Sequence, residues 1–261
     1  MDDARKNTQE LLAEAVRQLR RPGFDQAFSL WLKSELDFDN LLILAYYNHR
    51  EPSLLHHHGY SETAILHIRN NYLPFAYKLD PYFQLHAQSS DSGVYRLDEI
   101  APDKFHSSRY FKEYYGNAKL EDELVFVSRV GQGVSVHVAL GHIAVSGRKF
   151  SAKASRIART IQPVAQAMVE GNWRGLRSTD EASNGNAVDD LRAALEAAKG
   201  IALTPRQAEV ALMILQGHSS TSIGLNLNIS PQTVKVFRRQ IYRKCQISSQ
   251  AELFSLLVPL L

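Results

Sequence analysis

Gln232, Lys235, Val236, Arg239 and Arg243 recur at intervals of three and four near the C-terminus, with Arg238 and Lys244 beside them. Residues so spaced lie over one another on a helix, so the set forms one cationic and amide-bearing face. Cations neutralise phosphates, and Lys, Arg and Gln donate to base edges, so the chemistry is recognition of a duplex nucleic acid. A face of this width suits a DNA major groove. A basic helix met alone is more often a solvated amphipathic surface. The way this one is held decides between the two readings.

On the same helix Val234, Phe237 and Ile241 share the opposite face and must pack on what precedes them. Thr204 before Pro205 and Arg206 reads as an N-cap with proline at the first helical position. Val210, Ala211, Met213, Ile214 and Leu215 then run apolar to Gly217, which suits a left-handed helix end. Ser219 or Ser220 can cap a second helix carrying Ile223 and Leu227 inward. Asn228-Ile229 makes a tight turn, and Ser230-Pro231 repeats the start signal for the basic helix. Two short helices and a turn therefore present a longer third one.

At these residues the sequence resembles the LuxR-type helix-turn-helix family: Thr204, Pro205, Arg206, Glu209, Val210, Gly217, Ser230, Pro231, Thr233, Val234 and Lys235 match in order. Phe237 stands where a histidine is common, Gly224 where alanine is common, and Cys245-Gln246 where leucine-glycine is usual. The resemblance implies an all-α C-terminal domain of four helices that binds double-stranded DNA and regulates transcription. It further implies that Lys235, Val236 and Arg239 approach bases while Gln232, Thr233, Arg238 and Arg243 meet phosphates.

The charge distribution agrees with a nucleic-acid partner. From Gly200 onward there are six basic and two acidic residues, against 24 and 25 in the rest, although the whole chain of 261 residues carries only +3. That length, with 44% hydrophobic residues, suits two domains and at least one sizeable core. No run approaches the roughly 18 apolar residues of a membrane span, and MDDARKNTQE is too polar for a signal peptide, so the expected location is the cytoplasm, with no membrane partner. Cys245 is the single cysteine; it precludes an intrachain disulfide, and its place in the basic helix excludes a cysteine-linked chromophore elsewhere.

Along the chain, Thr8 to Arg20 and Phe24 to Lys33 read as helices separated by Arg21-Pro22-Gly23. Leu41 to Tyr47 and Ser53 to His57 read as a hairpin. Ser61 to Asn71 and Tyr82 to Ala87 read as helices, Ser89 to Gly93 as a loop, and Ser107 to Tyr115 as a helix ended by Gly116. Glu123 to Val130 and Val134 to Ala144 alternate in period two around Gly131-Gln132-Gly133, the strongest hairpin signal present. Ser151 to Glu170 returns to helix. The expected architecture is an N-terminal α+β domain (1–173) with an antiparallel sheet flanked by helices, similar in layout to GAF or PAS-like sensors. A linker and connecting helix (174–199) and the helix-turn-helix domain (200–261) follow.

The N-terminal part lacks the acidic pair after a first strand that a receiver domain needs, and lacks GxxxxGK[ST] for nucleotide hydrolysis. An acyl-homoserine-lactone domain has comparable length and a similar α+β plan, and that alternative stays open beside the more general small-molecule sensor. Seven tyrosines and five phenylalanines lie between Tyr72 and Phe126; tyrosine needs a hydroxyl partner when buried, so such a cluster near carboxylates suits a polar pocket. The candidate ligand residues are Tyr72, Tyr77, Asp80, Tyr82, Tyr95, Tyr110 and Glu123, with Asp122 adjacent, for a cationic or amine-bearing effector. Core packing and helix capping compete with that reading at each position.

His56-His57-His58 puts only two rings on one strand face, which favours a solvated strand end over a metal site. No nucleophile elbow or metalloprotease pattern occurs. The expectation is a regulator without enzymatic activity, resident cofactor or metal; an enzyme or metal-binding domain with a regulatory DNA-binding tail is the rival of another class. Leu253, Phe254, Leu256 and Leu257, with Leu191 and Leu195, offer more apolar surface than a three-helix core needs, so a homodimer is expected.

Overall fold

The computed structural model describes residues 2–178 and 187–261. In chain order its main elements are α1 (Asp2–Arg17), α2 (Phe24–Glu35), β1 (Asn40–Tyr47), β2 (Ser53–His58), α3 (Glu62–His67), α4 (Pro81–Ala87), β3 (Gly93–Arg96), α5 (Leu97–Ile100), β4 (Leu120–Gly131), β5 (Val134–Ile143), α6 (Ala152–Trp173), α7 (Ala187–Lys199), α8 (Pro205–Gln216), α9 (Ser220–Leu227), α10 (Pro231–Cys245) and α11 (Gln250–Leu257). Two compact units divide them without following chain order. One gathers the described residues of Met1–Leu66, Leu85–Glu99 and Ala118–Glu181; the other gathers His67–Gln84, Ile100–Asn117 and those of Ala182–Leu261.

The first unit is built on a five-stranded antiparallel sheet in the order β2-β1-β5-β4-β3. Alternation along the strands sends Leu41, Ile43, Ala45 and Tyr47, Leu124 and Phe126, and Val134, Val136, Val138 and Leu140 to one face. That face packs on α2 and α6 through Phe24, Phe28, Trp31, Leu32, Ala158, Met168 and Val169, and Ala15 of α1 joins the same core. Phe24 meets Trp173 edge-on, with centroids 5.4 Å apart, which pins α2 to α6. The opposite face is buried as well: all of β1 and nearly all of β5 are inaccessible.

In the second unit every helix start from Thr204 onward carries its own punctuation. Thr204 accepts from Gln207 N–H while Gln207 reaches back to Thr204 N–H, a reciprocal capping box. Ser219, Ser230 and Ser249 cap α9, α10 and α11 by accepting the N–H groups of Ser222, Thr233 and Glu252. Gly217 (φ 96°), Asn228 (φ 53°) and Gln246 (φ 54°) close α8, α9 and α10 in the left-handed region.

Several local expectations need correction. Gly93 opens a strand, β3, paired with β4; its four residues, GVYR, are too short for periodicity to reveal. Gly116 is right-handed (φ −61°) and the helical run continues past it, with Lys119 (φ 54°) taking the left-handed turn. Ser108 rather than Ser107 receives the Phe111 N–H there. The expected helix from Ser61 becomes π-helical over Ile68–Tyr72. The linker expected from Arg174 to Asn186 lies partly outside the described residues.

Candidate nucleic-acid interface and the polar interior

Val234 and Ile241 anchor α10 from within, with Cys245 buried at its end and its thiol pushed up by that burial. Phe237, expected to share this role, is only half-buried. The phase that buries Val234 and Ile241 leaves Gln232, Lys235, Val236, Arg239 and Arg243 exposed, and Val236 keeps 47% of its surface accessible. Lys235, Arg239 and Arg243 stand one turn apart, about 6 Å along the axis, as a stripe of cations.

The flanking residues are tied down. Thr233 is half-buried, its hydroxyl 2.8 Å from that of Ser230. Arg238 is half-buried, donating from Nε to Tyr242 Oη at 3.1 Å with its guanidinium 5.2 Å from that ring. Lys244 bridges Ala202 O (2.7 Å) and Gln207 Oε1 (3.0 Å), so it serves the domain rather than the exposed stripe. Arg206 pairs with Glu209 at 2.7 Å and donates to Leu227 O at 3.0 Å, tying the start of α8 to the end of α9. Gly224 stands close to the turn before α10: a Cβ there would lie 2.7 Å from Ile229 O, so an alanine needs that turn to shift.

The predicted ligand residues separate into two groups. Tyr72, Tyr77, Asp80, Tyr82 and Tyr110 belong to the second unit, whereas Tyr95 and Glu123 belong to the first. Asp80 is the centre of its group. Its Oδ2 accepts from Tyr72 Oη (3.0 Å) and Tyr110 Oη (3.2 Å), and its Oδ1 accepts from Tyr82 N–H (2.8 Å) at the start of α4. Burial pushes the carboxyl up and these three donors pull it back, leaving it at about 6. Tyr77 meets Phe83 edge-on at 4.8 Å. Tyr95 is half-buried and donates to Asp91 O, while Glu123 is buried on β4 opposite Gly141. Asp122 accepts the Phe150 N–H at 2.8 Å, a structural bond.

A polar cluster in the first unit was not anticipated. On the sheet face opposite the core, Tyr46 pairs with Ser135, and Leu44 with His137. Ser135 Oγ lies 2.8 Å from His86 Nδ1 on α4 and 3.0 Å from His137 Nε2, and Tyr46 meets the His137 ring edge-on at 4.7 Å. Burial, with Arg129 nearby, lowers His86 to about 4, and burial with His86 and Arg129 lowers His137 well below its usual value, so both rings are neutral near pH 7. His137 Nδ1 is buried with no hydrogen-bond partner among the described residues. Period-two alternation in VSVHV marks a strand but does not say whether its polar face is covered.

Residues 202–257 match the family model described as bacterial regulatory proteins, luxR family. This segment is a luxR-family helix-turn-helix domain. A curated relative from Aeromonas salmonicida, whose name describes an HTH-type transcriptional regulator in the exeN 3' region, is 24% identical over 184 residues, covering 68% of this chain and 92% of that one. Among solved structures, the VqsR LBD domain of Pseudomonas aeruginosa covers 65% of this chain and 98% of its own, at a TM-score of 0.56 and 20% identity; the likeness is one of fold. The helices that the luxR-family match spans are α8 to α11, those whose caps and turns present the basic stripe.

Proposed function

We propose that this chain is a DNA-binding transcriptional regulator in which residues 1–173 sense a small molecule, 174–199 connect, and 200–261 read DNA. The observation that carries it is the exposed stripe of Lys235, Val236, Arg239 and Arg243 on a helix anchored by Val234 and Ile241, inside the luxR-family segment. Lys235, Val236 and Arg239 take base contacts, and Gln232, Thr233, Arg238 and Arg243 take phosphates. The sensing role is supported by the likeness of fold to an LBD domain and by buried polarity that an ordinary core does not need: the Tyr46, Ser135, His137 and His86 cluster, and the Asp80 carboxylate with its two tyrosines. The effector is therefore a small molecule with polar groups. The functional assembly is a homodimer on paired half-sites, and the protein acts in the cytoplasm.

Native mass spectrometry of the purified protein tests the sensing half: a co-purified small molecule, or one that raises the melting temperature and shifts operator affinity, is the expected result. Selection of duplexes from a randomised pool tests the other half. An unenriched pool would sink the DNA-binding reading.

A further inference from the structure

Within the second unit, the stretch from Pro102 to Tyr115 lies against the turn between α8 and α9. Lys104 N–H donates to Gly217 O at 3.0 Å, and Ser219 N–H donates to Asp103 Oδ1 at 2.9 Å. Arg109 fixes the other end, donating from Nη1 to Ala251 O and Ser255 Oγ at 2.9 Å each, with its guanidinium 5.2 Å from the Phe254 ring. Between these attachments is a cleft of about 480 Å³ whose cations include Lys104, Lys112 and Arg238 and whose hydroxyls include Ser107, Ser219 and Ser220.

No carboxylate lines the cleft among the described residues. Glu113 meets Arg109 at 3.3 Å, and Asp103, just outside, is occupied by Ser219. Lys104 and Lys112 are exposed, and neither ammonium makes a hydrogen bond or ion pair among the described residues. Cations gathered without counter-charge repel one another, and a polyanion relieves that repulsion.

We propose that this cleft receives phosphates of the DNA backbone, so that Lys104 and Lys112 extend the grip of α10 beyond the helix-turn-helix. The proposal rests on the DNA-binding reading above. Arg238 stands at the flank of α10, beside the exposed stripe, and the positive N-terminal end of α9 opens on the same side. A helix seated in a major groove has phosphate backbones along its flanks, so the strand on this flank passes the cleft. Charge complementarity selects a phosphodiester chain as its occupant.

The test uses the full chain, with fluorescence anisotropy on a random-sequence duplex and on a duplex selected by the protein itself. Salt is varied from about 50 to 200 mM. Lys104→Ala/Lys112→Ala is expected to weaken both duplexes by the same factor and to lower the salt slope by about 0.9 for each phosphate no longer neutralised. Lys104→Arg/Lys112→Arg should restore both readouts, and unchanged melting would show that the fold is intact. Wild-type affinity and slope in the alanine variant would overturn the proposal. So would inorganic pyrophosphate raising the melting temperature of the wild type alone while duplex binding stays equal, which would assign the cleft to a free anion. Lys235→Ala, run alongside, separates the two levels: loss of preference for the selected duplex there, with no effect at the two lysines, would leave the DNA-binding reading standing and remove only the cleft.

Discussion

Asp80 holds two tyrosine hydroxyls and the first N–H of α4, and it does so while buried, so its charge is costly. Its carboxyl, at about 6, lies above its unfolded value of 3.8. A raised acid favours the folded state while protonated, so its contribution is full below about pH 4 and is lost as pH climbs through about 6, amounting to about 3 kcal/mol at most. Asp80→Asn should flatten that part of the profile while keeping an acceptor for Tyr82 N–H. Urea unfolding of both proteins between pH 4 and 8 checks this, and parallel profiles would refute it. On α10, Lys235→Ala and Arg239→Ala should each cost about 1 to 3 kcal/mol of specific binding, the usual cost of removing a base-reading side chain. Arg238→Ala should weaken specific and random duplexes alike. Equal losses for all three would reject the assignment of roles. The exposed cationic stripe on α10 was legible in advance, because charge and spacing are local properties. Asp80 was legible as a cap and as a candidate in a tyrosine cluster, but its three bonds join residues up to 30 positions apart. His86, Ser135 and His137 were not legible, since no local pattern says that a polar strand face will be covered.

Helices from Thr204 onward followed their sequence because each boundary is fixed by its own cap, proline or left-handed residue. Strand β3 and the helix past Gly116 did not, because pairing with β4 and the run into Lys119 depend on distant or neighbouring structure rather than on a local signal. Gly217 combines both kinds of constraint. Its φ of 96° needs glycine, and a Cβ would stand 2.9 Å from Phe105 Cα, a backbone atom with little room to move. Gly217→Ala should therefore cost more than about 1 kcal/mol, measured by chemical unfolding; an unchanged midpoint would show that the turn relaxes. Within α10, Ile241→Ala should cost about 2 to 5 kcal/mol, as for a fully buried aliphatic side chain. Phe237→Ala should cost less than the roughly 3 to 5 kcal/mol of a fully buried phenylalanine, because part of its ring is already in water. The reverse order would mean that the helical phase, and with it the exposed stripe, is misassigned.

For the whole molecule the open quantity is how many chains meet one operator. A single small helix-turn-helix reads few base pairs, and two related by a two-fold axis square the discrimination without new residues, which favours paired half-sites. The apolar surface expected to join the chains is, however, already covered. Leu191, Leu195, Leu253, Phe254 and Leu257 are all buried in the single chain, and Leu256 alone of that set is half-buried. Leu191 and Leu195 lie on α7, which packs on α8, and the Arg109 guanidinium faces the Phe254 ring. A dimer held by α11 thus has little apolar area of its own to bury. Two-fold DNA must supply much of the association free energy by placing both chains side by side, an effective-concentration effect. The expected outcome is two chains on a duplex with paired half-sites and a weaker or absent dimer without it, read by sedimentation equilibrium. Leu256→Glu should lower the cooperativity of the second chain while leaving the first chain's affinity for a single half-site unchanged. A one-to-one complex at micromolar protein on the paired duplex would eliminate the dimer, and a Leu256 variant indistinguishable from wild type would remove α11 from the interface.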